Sequence, residues 1–115
     1  METLDIGKIA FLPTESRLAL LKEFREQILE VTLIVRDALL AGDLKTAAKS
    51  AHMIRSSCLA LGAEQLSAAS LRIEASEKGD VKIPESQLLS EFVNAVDVIL
   101  PQLDIELRSG ENPPA

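Results

Sequence analysis

The sequence predicts an all-α fold: an antiparallel up-down four-helix bundle with a short extra N-terminal helix. Three observations predict it. Apolar residues recur at steps of three and four along most of the 115 residues, the period of a helix with one buried face. The core material is Leu, Ile, Val and Ala, with three aromatic residues, all Phe, and aliphatic side chains of this kind fill helical bundles. The helical stretches are joined by short turns, which favour antiparallel neighbours. No stretch reads convincingly as a strand.

The elements follow in order. Leu4 to Leu12 is short and apolar, a small helix capping one side of the bundle. The first long helix follows Pro13, with Thr14 or Ser16 as its N-cap. Leu21, Phe24, Ile28, Val31, Val35 and Ala38 form its buried face. Leu29, Leu33 and Leu40 form a second apolar stripe, suited to a partner or to the N-terminal segment. Gly42 closes the helix in the left-handed conformation, and Asp43 caps the next one. That second helix runs to Leu61 and stops at Gly62. A third runs from about Ala63 to Lys78 and stops at Gly79. The fourth begins near Pro84, where a first-turn proline is tolerated, and Leu88, Phe92, Ala95 and Ile99 give its apolar face. Pro101 is expected to kink or break it, because the ring clashes with the carbonyl of Asp97. Residues 1–108 form one helical domain, and 109–115, "SGENPPA", are expected to be a disordered tail or linker.

Composition excludes several functions. A net charge of -6 argues against nucleic acid, which needs a basic footprint, and against adhesion to anionic membrane. It favours partners with basic surfaces. One cysteine, Cys58, allows no internal disulfide. No apolar run reaches the roughly 18 residues that span a bilayer, and the N-terminus does not read as a signal peptide. The expected location is the cytoplasm.

The only histidine, His52, lies mid-helix in "KSAHMIRSSCLALGAEQL". At ~100° per residue, Leu44, Ala47, Ala51, Ile54, Cys58 and Leu61 share an arc about 100° wide, the core face. His52 lies roughly 130° from its centre and so points to solvent. Lys45, Ala48, Lys49, Arg55, Ser56 and Leu59 fall within roughly 60° of it. Three cations, two apolar residues and a hydroxyl are therefore expected to surround the imidazole, and no acid. A neutral exposed imidazole is a nucleophile. Lys49, Arg55 and Ser56 are placed to pair with phosphoryl oxygens on it, while Lys45, Ala48 and Leu59 offer a landing area for a partner. A lone surface histidine with solvated charges around it is the plain alternative. No second histidine and no thiolate shares the face, which argues against a metal site.

"AHMIRSSCLALGAEQLSAASLRIE", Ala51 to Glu74, resembles the histidine-containing phosphotransfer (HPt) domain. The family pattern is roughly A-H-x-L-K-G-S-S-x-x-L-G, then L-x-x-x-C-x-x-L-E on a second helix. His52 matches the phospho-accepting histidine, Ile54 the leucine, Ser57 the small serine, and Leu61 and Gly62 the L-G. Leu66, Ser70, Ile73 and Glu74 match the second helix, with Ser70 in the cysteine slot. Two positions depart: Arg55 stands where the family has lysine, and Ser56 where it has glycine. Arginine keeps the charge and adds a planar fork; serine adds a side chain beside His52.

The resemblance implies a phosphocarrier with His52 as acceptor. It would take a phosphoryl group from a receiver-domain aspartyl phosphate and pass it to a response regulator. It implies receiver domains and a hybrid sensor histidine kinase as partners, a monomer, and no ATP-dependent kinase activity of its own. No cofactor is implied for this chain; Mg²⁺ is expected on the partner receiver. The alternatives are a helical module that docks on a receiver or kinase without carrying phosphate, and a plain structural or dimerisation bundle.

Overall fold

The computed structural model describes residues 4–111, the side chain of Glu111 excepted. It comprises a single 3-10 turn, Ile6–Ile9, and four α-helices: α1 Thr14–Leu40, α2 Leu44–Leu61, α3 Glu64–Lys78 and α4 Glu85–Glu111. Among the described residues there is no strand.

Each helix starts and stops for a local reason. Pro13 precedes α1 with φ −57° and ψ 153°, and no side chain caps that end. The predicted cap Thr14 lies inside the first turn, where its hydroxyl accepts from Arg17 Nη2 at 3.2 Å. Ser16 is also inside the helix. Asp43 does cap α2, its Oδ1 accepting from the Thr46 backbone N–H at 3.1 Å. Gly42, Gly62 and Gly79 have φ of 75°, 72° and 84°, the left-handed conformation that ends a helix. Gly62 has a second reason to lack a side chain. A Cβ there would lie 2.6 Å from the Cβ of Asp5, where the N-terminal segment crosses the end of α2 and the Asp5 N–H bonds the Leu61 carbonyl at 2.8 Å.

Two expectations fail in α4. Pro101 does not end the helix, which continues to Glu111. Both Pro101 and Asp97 are exposed, so the carbonyl that proline leaves without a donor lies on the solvent side, where water satisfies it. Ser109 and Gly110, assigned from the sequence to the tail, are helical; Gly110 packs so closely on Leu18 that a Cβ would come within 2.3 Å of it. Residues 112–115 of the expected tail lie outside the described residues.

Helix α1 packs against α2 and α4, and α3 against the same two, giving a bundle-like globule 52 × 23 × 21 Å. The core holds Phe24, Ile28, Ile54, Leu66, Ile73, Phe92 and Ile99, all fully or almost fully buried. Phe24, Ile28, Ile54, Phe92 and Ile99 are positions the helical period predicts, Leu66 and Ile73 add the buried face of α3, and burying each such side chain stabilises the fold by about 1.5–3 kcal/mol. The N-terminal segment adds Ile9 to the core, with Leu4, Ile6 and Leu12 against it. It forms a short 3-10 helix, Ile6–Ile9, and it sits over the end of α2. All three residues of the second stripe on α1, Leu29, Leu33 and Leu40, remain exposed. Among the described residues no helix is long and apolar enough to cross a membrane.

Candidate functional site

Helix α2 presents His52 as its helical phase requires, with 70% of the side chain exposed. The correction concerns its surroundings. An acid does stand beside the ring, and it comes from α3. His52 Nδ1 lies 2.6 Å from Glu74 Oε1, and Arg55 Nη1 donates to the other oxygen, Glu74 Oε2, at 2.6 Å. One carboxylate thus bridges a histidine and an arginine from the neighbouring helix. The tight turn at Gly62 explains the meeting: His52 and Glu74 stand nearly equidistant from it in sequence.

Glu74 is buried, and only 9% of its side chain reaches solvent. Burial pushes its carboxyl pKa up, but hydrogen bonds from Arg55 and His52, with their charges, outweigh this and hold it below the ordinary value. The group is therefore an anion at neutral pH, and an ionised carboxylate only accepts. It follows that Nδ1 carries the proton in this hydrogen bond. In the neutral ring the lone pair is then on Nε2, at the exposed edge. A histidine whose one nitrogen donates to a carboxylate has its tautomer and orientation fixed.

The remaining predicted site residues divide. Lys45, Lys49 and Ser56 are exposed, and Leu59 is 56% exposed, so all four are accessible on the His52 side of α2. Ala48 is not: it is 7% exposed, tucked toward α3, and offers little landing area. Arg55 is less free than the sequence suggests, being half-buried and bound to Glu74. Ser57, in the small-serine position, donates to Gln27 Oε1 of α1 at 3.1 Å and pins two helices together. Ser56 lines a groove of about 310 Å³ between α1 and α2, with Leu20, Phe24 and Gln27.

Two residues escaped the sequence reading as site residues. Glu74 matched the family pattern but was not given a role, because facing on α2 alone cannot reveal a residue of α3. Met53, next to the histidine and 58% exposed, joins Leu59 as exposed apolar surface on α2. Cys58 is buried, its thiol pushed up to about 12 by desolvation, as its place on the core face requires. No group of three His, Cys, Asp or Glu side chains among the described residues could hold a metal ion.

No family model, no curated protein and no solved structure matches the chain.

Proposed function

We propose that the protein is a histidine phosphotransfer module of a two-component phosphorelay, in an antiparallel up-down four-helix bundle, acting in the cytoplasm. The observation that carries this reading is the bond from His52 Nδ1–H to Glu74, on a ring whose other nitrogen faces solvent. Nε2 attacks the phosphorus of a receiver aspartyl phosphate. The P–O bond to the aspartate breaks, its carboxylate leaves, and an N–P bond forms. The Nδ1 proton stays in place, and Glu74 stabilises the positive charge that develops on the ring. Onward transfer reverses these steps on a second aspartate.

Arg55 spends one N–H on Glu74 and keeps other donors of its fork for phosphoryl oxygens. Lys49, one turn from His52, adds charge, and Met53 and Leu59 give apolar surface for the receiver. Mg²⁺ belongs to the receiver, and a hybrid sensor histidine kinase supplies the phosphoryl group. The second reading, a docking module that carries no phosphate, is favoured by Ser56, whose exposed side chain stands where the family keeps glycine.

Transfer from a phosphorylated receiver domain separates the two. Wild type should acquire acid-labile, base-stable phosphate, and His52→Gln should acquire none while still binding the receiver. Equal labelling of the variant would remove His52 as carrier. A folded wild type unlabelled by a broad panel of receivers would leave the docking module.

A further inference from the structure

Two of the cations beside the site, Lys45 and Lys78, have no part in the phosphoryl chemistry. A cleft of about 260 Å³ opens between α2 and α3 beside Glu74. Lys45 and Lys49 line it from α2, and Glu77 and Lys78 from α3. All three lysines are exposed, and among the described residues none makes an ion pair. Glu74 is already held by His52 and Arg55. Three ammonium groups outside any close ion pair therefore share the cleft with Glu77, a carboxylate likewise outside one, and Lys45 acts on Asp43 only at longer range. In a chain of net charge -6 this is a reversal of sign, assembled from two helices.

Lys45 stands seven residues before His52, about 10 Å along the helix at 1.5 Å per residue. From there its charge addresses the surface of a docked protein rather than a phosphoryl group on Nε2. Lysine also suits a diffuse carboxylate surface, as a mobile point charge without the planar fork that arginine brings to a single anion.

We propose that this cleft seats a carboxylate-rich rim of the protein that exchanges phosphate with His52, with Lys78 completing from α3 the contact that Lys45 and Lys49 begin on α2. The inference rests on the relay reading, because that reading supplies the partner's chemistry. A partner that binds Mg²⁺ at an aspartyl phosphate does so with carboxylates. Two acidic proteins repel at long range, and a local basic patch at the point of contact offsets the repulsion and orients the encounter. The cleft fixes one direction of approach, with the acidic rim lying toward the start of α2.

Two measurements test it. The first is an amide NMR titration of the whole protein with a tetra-aspartate peptide at low salt. Shifts should fall on residues 45–49 and 74–78, vanish in the Lys45→Glu/Lys78→Glu double variant and grow in Glu77→Lys. Shifts elsewhere, shifts that survive the double reversal, or a preference for phosphatidylserine vesicles over the peptide would overturn the proposal. The second is the initial rate of transfer from a phosphorylated receiver domain. The double reversal should slow it about tenfold at low salt and weaken its salt dependence, since exposed charges are screened over a Debye length of about 10 Å at 0.1 M. A rate and salt dependence equal to wild type would count against it. Failure of the relay reading looks different: the wild type gains no phosphohistidine while the peptide shifts persist, leaving an acid-binding cleft without a phosphocarrier.

Discussion

Glu74 and Glu91 each bind an arginine on the adjacent helix, Arg55 of α2 and Arg72 of α3, at 2.6 Å. The two bridges differ in burial and in what else the carboxylate holds. Glu91 is 29% exposed, pairs with Arg72 through both oxygens, and also accepts from Gln87 on its own helix. Both its partners, Arg72 and Gln87, are exposed. Glu74 is 9% exposed and divides its oxygens between Arg55 and the ring of His52. Taking a carboxylate out of water is costly unless charge and hydrogen bonds compensate it. The fold bears that cost where the carboxylate sets the tautomer of an exposed imidazole, and keeps the merely connecting pair at the surface. The same pair of residue types thus serves as a surface clasp in one place and as the orienting half of a nucleophile in the other.

The largest break in this comparison comes from Glu74→Gln. Removing the partner that orients a histidine commonly costs ten- to a hundredfold in activity. If the new amide turns its NH₂ toward Nδ1, it holds the ring in the other tautomer, and the loss approaches ~10⁴. Phosphotransfer to His52 should fall within this range. Glu91→Gln should leave the rate unchanged. Near-wild-type transfer in Glu74→Gln, with the fold intact by circular dichroism, would make Glu74 a clasp like Glu91.

Acid sharpens the contrast. Both carboxyls have a folded pKa below the ordinary value: Glu91 chiefly through the Arg72 hydrogen bond, Glu74 through Arg55 and His52 against the opposing effect of burial. A depressed folded pKa contributes stability that is fully present above the unfolded value of about 4.3. That contribution is lost as pH falls through the folded value. Urea unfolding followed from about pH 6 to about pH 3 should therefore show wild type losing stability with acidification. Glu74→Gln should lose visibly less over that window. Glu91→Gln should follow wild type closely, and added salt should erase any remaining difference, because exposed pairs are screened.

Much of this was legible in the sequence. The glycines at 42, 62 and 79, the Asp43 cap and the apolar positions of α1, α2 and α4 follow from local chemistry and the helical period, and they are found where that chemistry puts them. The exposure of His52 follows from the same period. What was not legible depended on a second helix or on solvent. Ala48 has the right angle on α2 to flank His52, and only the approach of α3 buries it. Glu74 enters the site from across a turn, so the imidazole that seemed ringed by cations is bonded to an acid. Pro101 was expected to kink or break α4 by its local clash; the helix is not broken there and runs on to Glu111, the lost hydrogen bond falling at exposed residues.

Ser70 stands one turn before Glu74 and tests the other side of the rule about buried polar groups. It is fully buried, and among the described residues its hydroxyl has no hydrogen-bond partner. Glu74 is held by two donors; Ser70 by none. An unsatisfied buried hydroxyl costs about 1–3 kcal/mol, offset in part by the small cavity that its removal leaves. Ser70→Ala should raise stability by about 1 kcal/mol, read as an upward shift in Tm of several degrees. A fall in Tm would mean that the hydroxyl finds a partner in solution.

The smallest effect is expected where the comparison began, at the exposed bridge. Arg72 and Glu91 pair through two short hydrogen bonds, a geometry that would be worth much in a dry site. At the surface, solvent competes for both groups and ordering two long side chains costs entropy, so such pairs typically contribute about 0.2–1 kcal/mol. Glu91→Gln keeps the shape and an acceptor for Arg72, so it should cost less than about 0.5 kcal/mol. A double-mutant cycle with Arg72→Met isolates the pair's coupling. A coupling above the range of exposed pairs would show that this bridge is held more tightly than its exposure allows. The special standing of Glu74 would then rest on His52 alone.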